Sequence, residues 1–522
     1  KAARADLPLE ERLARAVIEG TKEGLIEDLE LALADPRWPI PLDVINGPLM
    51  SGMAEVGRLF NDNQLIVAEV LQSAEVMKAA VTHLEQYMEK AAAGGRGKVL
   101  LATVKGDVHD IGKNLVDIVL SNNGFTVINL GIKVPSERLI QAAREHQPDV
   151  IGLSGLLVKS AQQMVLSAED FRAAGITVPL LVGGAALTRR FTHRKIAPAY
   201  GALCTYAKDA MHGLALVERL TDPAARVGLE EEIASLLVAD AAPAAEVTPA
   251  NEVAAPATAA VRRDLPVPAP PDLKRHTQEL DLDQIWALLN PQMLYGKHLG
   301  LKGSYRQLDA AGDAKLRKLQ ALIEEMKEVG RQGGLHARAV WRFFPAETQG
   351  ERLTLLDPQS GAPAAVWDLP RQDKPGGLCL TDYVLPGDHV ALFVTTAGGG
   401  VRERVEAWKS QGEYLKSHAF AALALETAEA AAECLHANLR AAWGFPDPRG
   451  TSAEERLAAR YRGKRYSFGY PACPDLAMQR QLFAALQPEE IGVELTEGDM
   501  MEPEASVSAL VFQHPEARYF AV

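Results

Sequence analysis

Residues 7 to 92 have the apolar periodicity of amphipathic helices. One helical face in VAEVLQSAEVMKAAVTHLEQYMEKA carries Val67, Val70, Leu71, Ala74, Met77 and Val81. The stretches LEERLARAVIEG and KEGLIEDLELALA have the same period, and LDVINGPLMSGMAEVGRLF supplies at least one more helix. We therefore predict a small four-helix bundle and place this domain at residues 1–92.

The pattern changes after GGRG at residues 94–97, which ends the helical period. Five short apolar runs follow, KVLLATV, TVINLG, DVIGLSG, VPLLVGGA and ALCTYA, with helix-like segments between them. This alternation predicts an α/β domain with a Rossmann-like (flavodoxin-like) parallel five-stranded sheet. We expect strand order 2-1-3-4-5 over residues 96–222, with a ligand crevice beyond the carboxyl ends of the strands.

An Ala/Pro-rich stretch at residues 238–261 has almost no aromatic residues and cannot build a core. We predict a linker over residues 223–271, whose flexible part of about 40 residues would reach roughly 35 Å and let the next domain move. From 272 to 522 the pattern is mixed. A long Ala/Glu-rich helix around 414–442 and strand-like pieces such as HVALFVTT and SVSALVFQ predict an α+β domain.

Length and charge limit the classes of function. A chain of 522 residues is too long to fold around a single hydrophobic core, so we predict a multidomain protein of about three domains. The net charge is −13 and no run of Lys or Arg stands out, so nucleic acid and anionic membranes are disfavoured as partners. No apolar run approaches the roughly 20 residues that span a bilayer, and no signal peptide is recognisable. The chain starts at Lys1 within charged helical sequence, so we expect a fragment of a larger protein.

The cysteines indicate the compartment. Cys204, Cys379, Cys434 and Cys473 show no C-x-x-C spacing. That pattern fits a reducing cytosol and disfavours a zinc site made of thiolates. We therefore expect a cytoplasmic protein, and we expect it to be a monomer.

The stretch KGDVHDIGKN, residues 105–114, concentrates polar residues where the first strand is predicted to turn into a helix. Asp107 and His109 follow strand one, the loop 154–160 follows strand three, and 183–184 follows strand four. Because these loops open at one edge of the sheet, we expect them to converge on a large ligand. A neutral imidazole is a good metal donor, and a carboxylate on its other nitrogen would fix its tautomer.

In this arrangement Asp107 would orient His109, Ser160 would hydrogen-bond the carboxylate, and Gly183 and Gly184 would leave room for a flat group. Two simpler interpretations stay open. Asp107 or its neighbour at 110 could cap the following helix, and His109 could be an ordinary surface histidine.

The spacing D-x-H-x-x-G, formed by Asp107, His109 and Gly112, precedes GLSGL and VGGA at distances that resemble the cobalamin-binding domain of corrinoid enzymes. The longer string ATVKGDVHDIGKN resembles cobalamin-dependent methionine synthase in particular. The resemblance implies that His109 is the lower axial cobalt ligand in place of the dimethylbenzimidazole base. It also implies that Asp107 and Ser160 complete a hydrogen-bond relay.

The same resemblance implies that Ser154, Gly183 and Gly184 line the slot of the cofactor's nucleotide tail. Val158 and Lys159 stand where the family commonly has Thr and Pro. A hydroxyl contact to the tail from position 158 would therefore be lost.

The helical domain resembles the cap of the same family at GRLFNDNQLIVAEV. This implies that Phe60 and Val67 lie over the upper, methyl-bearing face of the corrin, where the family more often has Leu at 67. Excluding water there would protect cob(I)alamin from oxidation. Without the resemblance, Phe60 and Val67 are better explained as core residues of the bundle.

The motif RYSFGYPACP, residues 465–474, predicts a rigid extended loop, because each proline restricts itself and its predecessor. The Arg465 guanidinium could bind a carboxylate through two parallel hydrogen bonds. This signal is weak by itself, because many surface loops hold an Arg and a Tyr. R-x-x-x-G-Y-P-A-C-P is similar to the signature of the methionine synthase reactivation domain, which binds S-adenosylmethionine. The three residues after Arg465 differ from the usual Pro-Ala-Pro, and Leu476 stands where a His often follows. Side-chain roles near 476 are therefore in doubt.

By this resemblance, Arg465 holds the methionine carboxylate and Tyr470 lies near the corrin and the methyl donor. Asp283, in LDLDQIW, meets the ammonium group, and Glu429 on the long helix is a fourth member. Tyr519 contacts the adenosine.

The resemblance covers nearly the whole chain in the order cap, cobalamin domain, reactivation domain. The two barrels that bind homocysteine and methyltetrahydrofolate are not found, and zinc would belong only to that absent N-terminal half. The resemblance implies an enzyme that moves methyl from 5-methyltetrahydrofolate through methylcobalamin to homocysteine. For this fragment it implies reductive reactivation of cob(II)alamin with S-adenosylmethionine and an electron from flavodoxin or a flavodoxin-like reductase.

Two alternatives belong to other classes. An adenosylcobalamin mutase domain is disfavoured by the preceding helical domain and by the RYSFGYPACP domain. A corrinoid carrier or cobalamin-responsive sensor is built from the same bundle and sheet. Carriers end near residue 222, and sensors usually add a DNA-binding helical domain.

Overall fold

A computed structural model of the chain describes residues 7–87, 96–156, 158–184, 187–241 and 261–522. The chain divides into two compact units. The first comprises Lys1–Pro243, Tyr295–Glu324 and Glu403–Ala421, and the second comprises Ala244–Leu294, Glu325–Arg402 and Ala422–Val522. Within the described ranges, no helix combines the length and the apolar character needed to cross a membrane.

The N-terminal region of the first unit is helical. Its helices are α1 (Leu9–Glu19), α2 (Leu25–Leu33), α3 (Pro41–Val44), α4 (Met50–Asn61) and α5 (Val67–Glu85). A π-helical segment, Ile45–Leu49, joins α3 to α4, and it contains Pro48, which lacks the N–H that a regular helix would need. Leu13, Val56 and Leu84 are completely buried between these helices. The predicted four-helix bundle is confirmed, with α3 and α4 forming one interrupted member.

A parallel sheet follows in the first unit. Its strands are β1 (Lys98–Thr103), β2 (Thr126–Asn129), β3 (Val150–Ser154), β4 (Leu180–Gly183) and β5 (Cys204–Ala207). Its helices are α6 (Ile111–Ser121), α7 (Ser136–His146), α8 (Val158–Ala173), α9 (Arg189–Phe191), α10 (Ala197–Tyr200) and α11 (Ala210–Thr221), and a π-helical segment Thr192–Ile196 lies between α9 and α10. Among the described residues the strand order is β2-β1-β3-β4-β5, as predicted. The central strands are buried because helices cover both faces of the sheet.

The predicted linker is wrong at its N-terminal end. Residues Pro223–Ala241 form helix α12, and its Leu229 and Ile233 are buried in the same apolar core as α1 and α11. Their spacing of four residues places both side chains on one helical face, which the composition of the neighbouring Ala/Pro-rich stretch obscured. The middle of the predicted linker, 242–260, and part of the break at 94–97 lie outside the described residues.

The second unit is built around an antiparallel sheet. The strands after residue 271 are β6 (His276–Glu279), β7 (Arg338–Gln349), β8 (Arg352–Leu356), β9 (Pro363–Asp368), β10 (His389–Thr396), β11 (Lys464–Tyr466), β12 (Glu494–Leu495), β13 (Met501–Glu502) and β14 (Ser506–Phe512). Seven of these described strands form one sheet in the order β11-β14-β10-β7-β8-β9, with β6 paired to β7. The predicted strand pieces HVALFVTT and SVSALVFQ are β10 and β14, so the α+β prediction is confirmed.

Helices accompany this sheet. They are α13 (Leu282–Trp286), α14 (Tyr305–Ala311), α15 (Ala314–Val329), α16 (Val401–Ser410), α17 (Tyr414–Ala442), α18 (Ala453–Leu457) and α19 (Gln479–Leu486). Helix α17 has the bounds that the sequence predicted for the long Ala/Glu-rich helix. Shorter segments, Gln292–His298, Gly330–Gly334, Leu380–Tyr383, Leu476–Met478 and Pro488–Ile491, are π-helical or 3-10 turns.

Two stretches of the predicted 272–522 domain belong to the first compact unit instead. In the stretch 403–421, Lys409 Nζ lies 2.7 Å from Asp117 Oδ2 on α6. Tyr414 joins a small apolar cluster with Leu71 of α5 and Ile118 of α6. Side chains of these stretches are thus partners of α5 and α6, and the predicted domain boundaries at 272 and 522 stay a prediction.

Candidate functional site

Asp107 is the centre of a hydrogen-bond network at the carboxyl end of β1. Its Oδ1 lies 2.6 Å from Nδ1 of His109 and accepts the His109 backbone N–H at 2.9 Å. Its Oδ2 accepts the Ser160 hydroxyl at 2.5 Å and the Leu156 backbone N–H at 2.8 Å. The carboxylate is completely buried, whereas 19% of the His109 side chain is exposed. The imidazole therefore lies at the surface end of a buried polar chain.

The charge of Asp107 fixes the tautomer of the imidazole. Burial alone would raise the pKa of Asp107, but the hydrogen bonds from His109 and Ser160 outweigh it and hold that pKa below its ordinary value. An ionised carboxylate can only accept, so Nδ1 of His109 carries the hydrogen and donates it. The lone pair of the neutral ring is then on Nε2, which is the nitrogen that can bind a metal.

The capping interpretation of these aspartates is wrong. Asp110 occupies the N-cap position of α6, but its side chain makes no capping hydrogen bond. Asp107 accepts from residues 109, 156 and 160 rather than from the first turn of α6, which begins at Ile111. These contacts connect the loop after β1 to the loop after β3.

The carboxyl ends of three strands lie side by side next to this relay. Thr103 of β1 is paired in register with Ser154 of β3, and Ser154 is paired with Gly183 of β4. Gly112, in the first turn of α6, has open space where a side chain would begin, with no described atom within 4 Å. A cofactor that brings its own chelated metal fits this edge, because the protein offers one oriented imidazole beside an uncrowded helix turn.

Gly184 lies where two loops approach closely. Its φ is +137°, and a Cβ there would lie 1.7 Å from the carbonyl oxygen of Gly155. Gly183 is also closely approached, with the Ala207 carbonyl oxygen 3.3 Å from its Cβ position. Backbone atoms therefore favour glycine at both positions, and the role of the two glycines beside a flat ligand stays a prediction. The glycines allow the loops after β3 and β4 to touch.

The two residues predicted over the upper corrin face lie in apolar clusters. Phe60 is half-buried against the core of the helical bundle. Val67 is half-buried and packs with Leu71, Ile118 and Tyr414. These contacts agree with the interpretation that both residues belong to the apolar core. Their position over a corrin stays a prediction.

Three residues that depart from the family pattern lie at the starts of two helical segments. Val158 is the first residue of α8, and Lys159 is the second. Leu476 begins a short 3-10 turn and is half-buried against the core of the second unit. Its Cδ1 lies 3.1 Å from the Cβ position of Gly469, so Leu476 supports the loop of the RYSFGYPACP motif by apolar contact.

Arg465 lies on β11, opposite Val511 of β14. Its Nη1 is ion-paired with Oε2 of Glu433 on α17, and 19% and 10% of the two side chains are exposed. Burial by itself lowers the pKa of Arg465, but the charge of Glu433 more than compensates and the pKa is raised. A guanidinium in this position is permanently charged and can bind a second carboxylate.

Three other predicted residues gather around Arg465. Tyr470 and Tyr519 are 60% and 53% exposed, and Glu429 is also accessible to solvent. Desolvation nevertheless raises the pKa of all three groups, and the charge of Arg465 acts on each in the opposite direction. The structure thus brings Glu429, Tyr470 and Tyr519 to one guanidinium.

Asp283 is placed differently. It is exposed, and its Oδ1 accepts hydrogen bonds from Arg331 at 2.8 and 3.1 Å. Its helix α13 is attached to the long helix α17, because Trp286 Nε1 donates to Thr427 Oγ1 at 3.0 Å. The described contacts of Asp283 are therefore with Arg331 and do not include Arg465.

The sequence analysis missed several residues of both sites. The Leu156 amide is a main-chain donor to Asp107, and side-chain identity does not encode such a donor. Glu433 is ion-paired with Arg465, and the Tyr461 hydroxyl donates to Glu433. The signal for Glu433 was available, since it follows Glu429 by four residues on the predicted long helix.

Three family models match parts of this chain. The model of the vitamin B12-dependent methionine synthase activation domain matches residues 281–522. Two models of B12-binding domains match residues 9–85 and 97–215.

Two relatives match almost the whole chain. Methionine synthase from Mycobacterium tuberculosis is 36% identical over 569 residues, covering 99% of this chain and 46% of the relative. Methionine synthase from Mycobacterium leprae is 35% identical over 575 residues, with the same two coverages. A crystal structure of the MetH reactivation domain bound to AdoHcy is 27% identical, with a TM-score of 0.47, and covers 50% of this chain and 84% of that one.

The chain spans about half the length of the curated relatives it matches, since it covers 46% of each. The resemblance seen in D-x-H-x-x-G and R-x-x-x-G-Y-P-A-C-P is confirmed over 99% of the chain. The chain therefore carries two regions that match B12-binding domains and one that matches the activation domain of vitamin B12-dependent methionine synthase, and it is similar to methionine synthases over 99% of its length.

Proposed function

We propose that this chain holds cobalamin with His109 as the lower axial ligand of the cobalt, and that the residues around Arg465 bind S-adenosylmethionine to remethylate that cofactor. When bound, cobalamin supplies a cobalt centre that accepts and gives up a methyl group. The observation that carries the proposal is the buried Asp107 carboxylate, which orients the His109 ring through a 2.6 Å hydrogen bond at the ligand-binding edge of the sheet.

The relay can also hold a proton. A protonated His109 would face the ionised Asp107, which stabilises a positive imidazolium. Ser160 and the Leu156 amide would keep the carboxylate in place during that change, because both donate to its other oxygen. The network can therefore stabilise the imidazole in both its neutral and its protonated form.

The residues around Arg465 suit the charges of S-adenosylmethionine. Arg465 would bind the carboxylate, and Glu429 would attract the positive ammonium or sulfonium group. Tyr470 and Tyr519 offer exposed aromatic faces for the adenosyl part and the methyl donor. Asp283 would reach the ammonium group only after leaving Arg331.

Absorption spectroscopy of the reconstituted protein tests the cobalt ligand. We expect His109→Gly to change the spectrum of bound methylcobalamin, because the lower ligand is lost. The matched control is His146→Gly at the exposed end of α7, which should leave the spectrum of the wild type unchanged. A His109→Gly spectrum identical to that of the wild type would contradict the proposed ligand.

Calorimetry with the full chain tests the second site. We expect S-adenosylhomocysteine to bind the wild type and to bind Arg465→Lys at least roughly tenfold more weakly, because a lysine cannot replace a planar two-pronged contact. The exposed Arg460→Lys is the control and should bind normally. Binding at this site also separates the family assignment from a corrinoid carrier, which has no activation domain.

The wider activity belongs to the same proposal. We propose that the whole protein moves methyl from 5-methyltetrahydrofolate to homocysteine, using barrels that this chain does not contain. An activation domain requires a redox partner, and flavodoxin or a flavodoxin-like reductase is the candidate from the resemblance. A cytoplasmic location is supported by the four free cysteines.

A further inference from the structure

Arg465, the proposed site of the ligand carboxylate, already has a carboxylate partner within the protein. Its Nη1 pairs with Oε2 of Glu433. The Tyr461 hydroxyl donates to the same oxygen at 3.2 Å. A ligand carboxylate that approaches Arg465 therefore meets a second negative charge unless Glu433 gives way.

Buried polar atoms without partners lie behind this pair. Glu433, His436 and Arg440 share one face of α17, because they are three and four residues apart. His436 and Arg440 are completely buried. In the part of the chain that the structure describes, four of their atoms lack a hydrogen-bond partner: Glu433 Oε1, both ring nitrogens of His436, and Arg440 Nη1.

Two of these groups are donors. Burial, followed by the charges of Arg440, Arg465 and Lys464, lowers the pKa of His436 far below its ordinary value. The neutral ring keeps one N–H, so His436 offers one hydrogen. Arg440 binds Asp447 through Nε and Nη2 at 2.9 and 2.8 Å, which leaves the hydrogens of Nη1 unused.

The Glu433 carboxylate lies close to one of these donors, the Arg440 guanidinium. Its Oε1 is 3.7 Å from Arg440 Nη2, so the carboxylate already lies between two guanidinium groups. Tyr461 stabilises the same region, with Arg440 Cζ 3.7 Å from its ring centroid and the His436 ring edge-on at 5.4 Å. Buried polar groups without partners are unfavourable, so a second position of Glu433 competes with the one on Arg465.

We propose that Glu433 is an internal counter-ion that exchanges between Arg465 and the Arg440–His436 pair, and that the carboxylate of the ligand takes its place on Arg465. This inference rests on the proposed S-adenosylmethionine site. It makes Glu433 a residue that determines specificity, because a ligand without a carboxylate cannot replace it. His436 is a positioning residue that receives Glu433 and has no contact with the ligand.

Calorimetric titration of the full chain tests the exchange. Glu433→Gln removes the competing charge and keeps the shape of the side chain, so we expect the Kd of S-adenosylhomocysteine to fall about fivefold or more. The control ligand is 5′-methylthioadenosine, which has no carboxylate, and its Kd should change less than about twofold. A purely structural role of Glu433 predicts weaker binding of both ligands.

A second variant tests the receiving side. We expect His436→Leu to raise the Kd of S-adenosylhomocysteine about fivefold when Glu433 is present, and less than about twofold in the Glu433→Gln background. His436→Gln keeps an N–H donor and should restore wild-type binding. His436→Leu removes two unpartnered nitrogens, so its unfolding temperature should not fall.

The outcomes separate this inference from the proposed function. No binding of S-adenosylhomocysteine by the wild type would contradict the proposed function itself. Binding that is unchanged in Arg465→Lys would contradict the location of the site. Binding that depends on Arg465 but is weakened or unchanged by Glu433→Gln would overturn the counter-ion exchange alone, as would an effect of His436→Leu that does not depend on Glu433.

Discussion

Asp107 accepts four hydrogen bonds from three residues, the most distant of which lies 53 positions away in the sequence. The histidine and serine partners could be predicted, because the strand order places the loops after β1 and β3 next to each other. The Leu156 amide could not, since a main-chain donor has no residue-type signal. In the proposed function, the charge of Asp107 that would stabilise a protonated His109 depends on all of these donors.

The first prediction concerns the charge of Asp107. Asp107→Asn removes the negative charge that stabilises a protonated His109, so the pH midpoint at which bound methylcobalamin changes its spectrum should fall by about one unit or more. A pH titration followed by absorption measures this midpoint. Asp110→Asn, with a side chain that makes no capping bond, should leave it unchanged. An equal midpoint in Asp107→Asn and the wild type would contradict a relay.

A second prediction concerns Lys113, which is 3% exposed and donates to Asn114 and Asn129 at 2.8 Å each. Burial lowers its pKa to about 8. Above pH 8 the unfolded chain still binds a proton that the folded protein has released, so the Lys113 contribution to the free energy of unfolding rises with pH until its unfolded pKa near 10.4. Below pH 8 Lys113 is protonated in both states, so this gain in the free energy of unfolding is absent.

Thermal unfolding at pH 7.5 and 9.5 measures the effect. We expect Lys113→Met to lose a stability increase on the order of 2 kcal/mol that the wild type shows between these pH values. The exposed Lys302→Met is the control and should keep the wild-type dependence. Parallel pH dependence in wild type and Lys113→Met would show that the buried amine is not the group that titrates.

Helix α12 shows that a short amphipathic helix can be missed when the composition of a longer stretch is used to predict a linker. Its buried face consists of Leu229 and Ile233, while the residues that follow are rich in Ala and Pro. Averaging over the whole stretch erased a short local periodicity, and tertiary packing against the first core decides the outcome. The strands and the long helix α17 were predicted well because their patterns extend over the whole element.

The third prediction distinguishes a packed helix from a linker. Ile233→Ala should lower the free energy of unfolding by about 2–4 kcal/mol, because it empties a buried site. Val227→Ala, at a position of α12 that is 59% exposed, should change it by less than about 0.5 kcal/mol. Urea unfolding of both variants provides the comparison. Equal stabilities would mean that α12 contributes nothing to the core.

A fourth prediction follows from the contact between the loops after β3 and β4. Gly184→Ala places a Cβ 1.7 Å from the Gly155 carbonyl, so we expect a loss of more than about 4 kcal/mol or no soluble protein. Gly112→Ala meets no described atom within 4 Å and should fold normally. Its cobalamin affinity should fall if the cofactor uses that space. Soluble yield, thermal unfolding and a cobalamin titration together measure these effects.

At the scale of the whole molecule, the division into two compact units was only partly predictable. Local patterns show which residues are apolar but not which core they join, so 295–324 and 403–421 were grouped with their sequence neighbours. Their membership in the first unit rests on contacts over long sequence distances, such as Lys409 with Asp117. No periodicity within either segment encodes such a choice.

The fifth prediction concerns unfolding of the full chain. Two units with separate apolar cores should unfold in more than one step in calorimetry. Cobalamin should raise the temperature of the step that includes the parallel sheet, and S-adenosylhomocysteine should raise that of the step that includes the antiparallel sheet. A single transition that both ligands shift equally would contradict this assignment.

The close approach of Gly184 to the Gly155 carbonyl also limits how this gene can vary. Every missense change at codon 184 adds a Cβ, whatever base is altered, so selection against such alleles would reflect folding rather than cofactor binding. A mutational scan that scores only growth would rank codons 184 and 109 alike. Measuring protein abundance beside growth would separate them, since alleles of codon 109 should be abundant but inactive and alleles of codon 184 should be depleted from the cell.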